Sequence, residues 1–230
     1  MGDSSRSTPK IQGFALGPFA TNCYVVNVPP DPACWIIDAG FEPNPLIECI
    51  RSQALEPAAI ILTHAHADHI AGLDQLRQAF PTASDGNPLP VYIHPAEQSW
   101  LIDPVLNLSA GLGEHIVVKP AERTLLGGEM LELSGTRWEI LHTPGHSPGG
   151  ITLHHEPSAG ALVGDTLFAG SIGRFDFPTS NEAHLFASIR DVLYALPDET
   201  DVFPGHGPTT TIGREKRTNP FVRAVNAADA

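Results

Sequence analysis

The sequence is short of positive charge. Among its 230 residues there are 13 Lys and Arg against 26 Asp and Glu, which gives a formal net charge of −13. Proteins that bind nucleic acid use clustered Lys and Arg to neutralise phosphates, so we expect no nucleic-acid partner. An anionic small molecule is not excluded by this charge, because bound metal ions can reverse the sign of the local field.

Cysteines and long apolar runs are scarce too. The three cysteines, Cys23, Cys34 and Cys49, form no CxxC pair and lie in or beside apolar segments, as is typical of free thiols in a reducing compartment. No apolar run is long enough to cross a bilayer, and the polar residues 1–10 lack the apolar core of a signal peptide. These features predict a cytoplasmic protein with no membrane partner.

The composition suits one domain, with 42% hydrophobic and 17% charged residues. We predict a flexible N-terminal tail over residues 1–10 and a single domain over residues 11–230. Strand-like segments dominate up to residue 62 and again over 130–163, and helical patterns follow each. This order predicts an α+β fold in which two sheets face each other with helices outside. A doubly wound sheet is the alternative, and the many hairpin-like turns argue against it.

Three histidines and an aspartate follow directly after the apolar strand at 58–62. Residues i and i+2 of an extended segment point the same way, so His64 and His66 can bind one ion. We expect Asp68 and His69 to lie past the bend at the start of a helix, with Asp68 at or near its N-cap, and to face a neighbouring point. Histidine and carboxylate ligands suit zinc, iron or manganese. An incidental histidine-rich turn is the alternative.

Four further Asp or His residues lie close to a glycine after an apolar strand, namely Asp38, His146, Asp165 and His206. If these strand ends share one sheet edge, His146 can complete the first site and His206 the second. Asp165 has two oxygens and can bridge ions ~3.5–4 Å apart, as in two-metal hydrolytic sites. Turn or cap roles are the alternatives for the aspartates.

Four motifs carry a family resemblance: T-H-x-H-x-D-H at 63–69, T-P-G-H-S-P-G-G at 143–150, G-D-T-L-F at 164–168 and P-G-H-G-P at 204–208. Over about residues 11–220 the chain resembles the metallo-β-lactamase superfamily. The resemblance implies a four-layer αβ/βα sandwich with two divalent metal ions at one sheet edge. Zinc is the first expectation, with iron or manganese as alternatives. One ion would be held by His64, His66, His146 and Asp165, and the other by Asp68, His69, Asp165 and His206.

Within that superfamily the chain looks like a short glyoxalase II (hydroxyacylglutathione hydrolase), on the segments 22–26, 171–178 and 219–221. This likeness implies hydrolysis of acyl-thioesters such as S-lactoylglutathione by a hydroxide that bridges the two ions, with Asp68 also orienting that hydroxide. Longer glyoxalase II enzymes add a C-terminal helical domain that contacts glutathione. Only 24 residues follow His206, so we expect this domain to be missing.

Supporting residues can also be predicted. Asp38, Asn22 and Thr63 lie beside the motifs and are expected to orient ligands or their loops.

Cations that could bind an anionic substrate tail are Arg174, Lys216 and Arg217, with Arg214 beside them. An ion pair with Asp176 is the alternative role for Arg174, and a solvated helix face is the alternative for the 214–217 run.

Other functions on the same scaffold remain open. A mononuclear-iron persulfide dioxygenase would use His64, His146 and Asp165 as a two-histidine, one-carboxylate triad. A lactonase or β-lactamase would share all the ligands, and a non-catalytic metal-binding module would need no substrate pocket. The expected partner is a small-molecule thioester, including glutathione conjugates, and the expected assembly is a monomer or small homo-oligomer.

Overall fold

The first of two six-stranded sheets is built from the N-terminal half of the chain in the computed structural model, which describes residues 8–223. Strands β1 to β3 form antiparallel hairpins, and β4 to β6 add to them in parallel. In spatial order the strands are β1 (Lys10–Leu16), β2 (Thr21–Asn27), β3 (Ala33–Ile37), β4 (Glu56–Ile61), β5 (Val91–Ile93) and β6 (Arg123–Thr124).

The second sheet comes from the C-terminal half. Its strands are β7 (Met130–Leu133), β8 (Thr136–His142), β9 (Ile151–His155), β10 (Gly160–Gly164), β13 (Asp201–Pro204) and β14 (Thr210–Thr211), with a separate hairpin of β11 (Leu167–Phe168) and β12 (Ser171–Ile172). Strands β7 to β10 are antiparallel neighbours, while β13 runs parallel to β10. Each sheet therefore has an antiparallel part and a parallel part.

Short helices flank the sheets. They are α1 (Asn44–Ser52), α2 (Ala67–Ile70), α3 (Leu73–Ala79), α4 (Glu182–Ala187) and α5 (Ile212–Thr218). The α4 segment continues as a π-helical turn over Ser188–Val192 and a 3-10 turn over Leu193–Ala195, and further 3-10 turns cover Pro95–Ile102, Ser109–Leu112 and Glu156–Ser158.

Buried apolar side chains form three clusters, one between the two sheets and one under the helices on each outer face. Ile37 and Ile61 of the first sheet pack against Trp138 and Leu153 of the second. The outer face of the first sheet is covered by α1 and α3, and the outer face of the second by α4 and the turns that follow it. The predicted αβ/βα sandwich is confirmed, because each sheet buries one face on the other sheet and one on helices.

Details differ from the sequence-based expectation. Helix α2 begins at Ala67, earlier than predicted, with His66 at its N-cap, so Asp68 lies inside the first turn. Residues 1–7 of the predicted N-terminal tail lie outside the described residues, and Lys10 already belongs to β1. No helix within residues 8–223 combines the length and apolarity needed to cross a bilayer.

Candidate metal centre

All seven predicted ligands meet at one edge of the sandwich. The first sheet contributes the segment after β4, and the second contributes the β8–β9 loop and the ends of β10 and β13. Three groups have ligand atoms within 4.8 Å of one another: His64, His66 and His146; His64, His69 and Asp165; Asp68, His69 and His206. Residues far apart in the sequence converge because the strand ends of both sheets lie at this edge.

The first group consists of His64, His66 and His146. The Nδ1 atom of His66 lies 2.9 Å from Nε2 of His146. The outer nitrogens are held: His64 Nδ1 lies 3.1 Å from the Thr63 hydroxyl, and His146 Nδ1 donates to the carbonyl of Arg174 at 2.8 Å. These bonds fix the tautomers of His64 and His146, so that Nε2 of each ring carries a lone pair. Nε2 of His64 is unpaired, whereas Nε2 of His146 faces Nδ1 of His66, and an ion between the rings would replace that contact.

The second group consists of Asp68, His69 and His206. Asp68 Oδ2 lies 3.1 Å from His206 Nε2 and 3.6 Å from His69 Nε2. The Thr21 hydroxyl donates to the same oxygen at 2.8 Å, and His206 Nδ1 donates to the Phe19 carbonyl at 3.2 Å. Asp68 lies inside the first turn of α2 and does not cap it, and the bond from Thr21 holds its carboxylate toward the cluster.

Asp165 lies between the two groups. Its Oδ1 is 3.5 Å from His69 Nε2, and its Oδ2 is 3.6 Å from His146 Nε2 and 3.5 Å from His206 Nε2. A Cβ atom on Gly205 would collide with Asp165 Oδ1, so glycine at that position makes room for the carboxylate. This placement fits a carboxylate that contacts two ions.

Unpaired buried atoms test whether the residues fit a metal. The Nε2 atoms of His64, His66 and His69 and the Oδ1 atom of Asp165 are buried and have no hydrogen-bond partner. Leaving such groups unpaired is costly, and cations at the cluster would satisfy those of His64, His69 and Asp165. His66 instead faces the cluster through Nδ1, which lies next to His146. Imidazole and carboxylate donors suit zinc, iron or manganese, so the donor set fits divalent ions.

Electrostatics differ between the two groups. Burial lowers the pKa of His66 to about 3 and also lowers the pKa values of His64 and His146, which keeps these rings neutral and able to bind metal. Burial also acts against a charge on His69, yet the carboxylates of Asp68, Asp38 and Asp165 raise its pKa well above the ordinary value. The second group therefore lies in a negative field that favours a bound cation.

The predicted supporting residues all contact the cluster or its loops. Asp38 accepts hydrogen bonds from the backbone N–H and the hydroxyl of Thr63, both at 2.7 Å, and lies 2.9 Å from His69 Nδ1. The Asn22 side chain donates to the carbonyls of Pro204 and Gly207, at 3.0 and 2.8 Å. Asp38 thus orients a ligand directly, and Asn22 fixes the loop that carries His206.

Glu97 is a supporting residue that the sequence did not predict. Its carboxylate is fully buried and accepts the backbone N–H of Ala65 and that of Gly149, both at 2.6 Å. Ala65 separates the first two histidine ligands, and Gly149 follows the third. The turn Pro95–Ile102 also contains the polar residues Gln98 and Ser99, so nothing in the sequence marks Glu97, and its two partners can be found only in three dimensions.

Two of the predicted substrate cations lie elsewhere. Lys216 bonds to Asp198 at 2.7 Å and Arg217 lies 3.6 Å from the same carboxylate, and neither lines the cavity at the metal cluster. This corrects the expectation, because α5 turns Lys216 and Arg217 toward Asp198. Arg174 does line the cavity, although it is paired with Asp176 at 2.8 Å.

The cavity above the cluster has a volume of about 720 Å³, within the usual range for small-molecule sites. Its floor includes His66, Asp68, His146, Asp165 and His206, and its walls are mostly apolar. A small molecule in this cavity can therefore reach both metal-ligand groups at once.

Comparison with known proteins agrees with this geometry. The sequence profile described as the Metallo-beta-lactamase superfamily matches residues 16–206. The chain is 38% identical over 218 residues to the probable metallo-hydrolase YqgX of Bacillus subtilis, covering 94% of this chain and 99% of that protein. It is also 38% identical over 191 residues to the hydroxyacylglutathione hydrolase GloC of Haemophilus influenzae, covering 82% of this chain and 87% of the relative.

Solved structures share the fold over most of the chain. BLEG-1 B3 metallo-beta-lactamase matches with a TM-score of 0.86 at 40% identity, covering 93% of this chain and 99% of the other. TTHA1623 in a di-iron-bound form matches with a TM-score of 0.78 at 39% identity, covering 92% and 100%. The profile, the relatives and the clustered ligands agree: the chain belongs to the Metallo-beta-lactamase superfamily and is a metallo-hydrolase.

Proposed function

We propose that this protein hydrolyses acyl-thioesters with two divalent metal ions, and that S-lactoylglutathione is the first substrate to test. The observation that carries the proposal is Asp165, whose two oxygens lie near both histidine groups. A site for a single ion would not need the second group of Asp68, His69 and His206. The similarity to GloC supports the thioester as the bond that is cleaved.

Metal ions bound here would lower the pKa of a water molecule and polarise the thioester carbonyl. The side chains supply the orientation. Asp68 and Asp165 carry lowered pKa values despite their burial, chiefly because of His69, and so remain carboxylates that can bind cations near neutral pH. Asp38 and the Arg174 carbonyl fix the rings of His69 and His146. No Ser, Cys or Lys nucleophile is needed.

Zinc, iron and manganese all suit the donors. Zinc is our first proposal, and the di-iron form of TTHA1623 supports iron as the alternative. We also propose a cytoplasmic location, because the three cysteines are free thiols, as expected in a reducing compartment. A monomer or small homo-oligomer is our proposal for the assembly.

The deciding experiment compares two reactions in one preparation whose metal content has been measured. Thiol release from S-lactoylglutathione is followed beside oxygen uptake with glutathione persulfide. We expect thiol release without oxygen uptake. Asp68→Asn should reduce the bound metal and lower thiol release by at least about 10–100-fold, the usual cost of losing even an outer partner of a metal ligand. The exposed His115→Ala serves as a matched control. Oxygen uptake with one iron per chain would instead establish the dioxygenase.

A second candidate is β-lactam hydrolysis, favoured by the 40% identity to BLEG-1 B3 metallo-beta-lactamase. The chemistry is the same attack on a carbonyl carbon. Hydrolysis of a chromogenic cephalosporin with a kcat/KM above that for every thioester would make it the leading function.

A further inference from the structure

One wall of the cavity is formed by exposed apolar side chains. Phe19, Val105 and Leu112 are 43%, 72% and 47% exposed, and all three line the cavity at the metal cluster. Leu108, Phe168 and Phe177 line the same space. Large apolar residues that are exposed together, around a site, indicate a surface that a ligand covers.

The segment that carries three of these residues is held in place. Asn107 is fully buried, and its carbonyl accepts the backbone N–H of Ala67 at 2.8 Å, which ties the segment to the start of α2. Leu108 has a φ of +68°, a left-handed conformation that leucine rarely adopts and that tends to occur at ligand sites. The apolar wall is thus built onto the metal-ligand segment.

In the cavity, the positive charge that an arginine side chain supplies is already paired with a carboxylate. Within residues 8–223 Arg174 is the one cation that lines it, and its guanidinium binds Asp176 at 2.8 and 2.9 Å while lying over the Phe177 ring at 4.3 Å. A glutathione thioester carries two carboxylates and one ammonium. Apart from bound metal ions, the cavity lining within residues 8–223 therefore offers no unpaired Lys or Arg to the carboxylates of such a tail.

Building on the proposed thioester hydrolysis, we infer that the preferred substrates are uncharged thioesters carrying an apolar aliphatic or aromatic group, which packs against Phe19, Leu108, Leu112 and Phe177. The reaction is ordinary hydrolysis: water adds its oxygen to the carbonyl carbon, the C–S bond breaks, and the products are a carboxylic acid and a thiol. The apolar group can lie on the acyl side or on the sulphur side, and the substrates below distinguish the two.

The test compares kcat/KM of the metal-loaded enzyme for S-acetyl- and S-hexanoyl-N-acetylcysteamine, S-hexyl thioacetate and S-lactoylglutathione. Each methylene that becomes buried is worth about fourfold in binding, so we expect at least about a tenfold preference for one six-carbon substrate over the acetyl compound. Whichever six-carbon substrate is preferred identifies the side that binds the apolar wall.

Leu112→Ser should lower that preference by about threefold or more. Leu126→Ser is the matched control, because Leu126 is 53% exposed and lies outside the cavity lining. Equal rates for the acetyl and both six-carbon substrates, or a preference for S-lactoylglutathione over all of them, would overturn the apolar inference and leave the hydrolase in place. Failure to hydrolyse any thioester would overturn the proposed function itself.

Discussion

Asp38 holds the imidazole of His69 through a contact of 2.9 Å between Oδ2 and Nδ1. The same carboxylate accepts both hydrogen bonds of Thr63, so its orientation is determined from two sides. With Nδ1 engaged, Nε2 of His69 faces Asp68 and Asp165, at 3.6 and 3.5 Å. Asp38 therefore sets which ring nitrogen is available to an ion.

Replacing Asp38 tests this relationship. Asp38→Asn should weaken the ion at Asp68, His69 and His206 by about 10–100-fold, the usual cost of losing a partner of a histidine ligand. The ion at the other histidine group should be affected less. Competitive chelator titration, read as two separate binding steps, measures both. Asp74→Asn, at an exposed position, is the control, and equal weakening of both steps in Asp38→Asn would contradict the assignment.

Glu97 joins the two loops that carry the three-histidine group. Glu97→Gln places an amide N–H₂ against the N–H of Ala65 or Gly149, since one side-chain oxygen cannot accept from both. We expect a loss of about 1–3 kcal/mol in stability together with weaker binding of the ion at His64, His66 and His146. Denaturant unfolding of the metal-free protein and metal titration separate the two effects.

Glu215→Gln is the matched control for that variant. Glu215 is also fully buried and accepts hydrogen bonds from Thr210, Gly170 and Asn219, but it contacts no metal ligand. It should lower stability similarly and leave metal affinity unchanged. If both variants lose metal equally, Glu97 has only a general structural role.

Substitutions of Arg174 and Asp176 should change KM for S-lactoylglutathione in opposite directions. Arg174→Ala should raise KM for S-lactoylglutathione more than it lowers kcat, by only about two- to fivefold because both side chains are solvent-exposed. Asp176→Ala frees the guanidinium and should lower the same KM. Steady-state kinetics at low and high salt checks both, since screening should shrink each change. Unchanged kinetics in both variants would remove Arg174 from substrate binding.

Thiol reactivity should single out Cys49. Burial raises the pKa values of Cys23 and Cys34 to about 12, and both side chains are inaccessible, whereas Cys49 is half-buried. Because the thiolate is the reactive form, a disulfide reagent at pH 8 should label one thiol in the native protein and all three after denaturation. Cys49→Ser should abolish the native signal, and a second fast-reacting thiol would contradict the burial of Cys23 and Cys34.

Glu122 gives a pH-dependent prediction. Although burial acts in the other direction, Lys119, the Val91 N–H and Arg77 lower its pKa below the ordinary 4.5. A carboxylate with a lowered folded-state pKa stabilises the fold above pH 4.5 and loses this contribution as pH falls through the folded value. Glu122→Gln should therefore be less stable at neutral pH, with the gap closing on acidification. Denaturant titrations beside the exposed Glu132→Gln check the trend, and a gap that widens in acid would contradict it.

The sequence predicted which residues cluster at the sheet edge because their signal is local. His64 and His66 have the spacing that points two side chains one way, and Asp165 and His206 are each flanked by glycine after an apolar strand. The facing sheets were predictable for the same reason, since hairpin turns and apolar runs can each be recognised in a short segment of sequence.

Features that depend on chain segments far apart were not predictable. The partners of Glu97 lie 32 and 52 residues away, and no periodicity connects them. The basic run of α5 was expected near substrate, but which side of a helix meets the site depends on how it packs, and Asp198 binds Lys216 and Arg217 instead. The apolar wall at Leu108 and Leu112 comes from a segment with weak patterning.

The ligands are divided between the two sheets, and neither half of the chain holds a complete set. His64, His66, Asp68 and His69 belong to the first half, and His146, Asp165 and His206 to the second. Bound ions would therefore cross-link the halves of a protein whose three cysteines are all free. Removing the ions with a chelator would then weaken the association of the two sheets at this edge, as reduction weakens a domain that is held by a disulfide. The same treatment would stop the reaction.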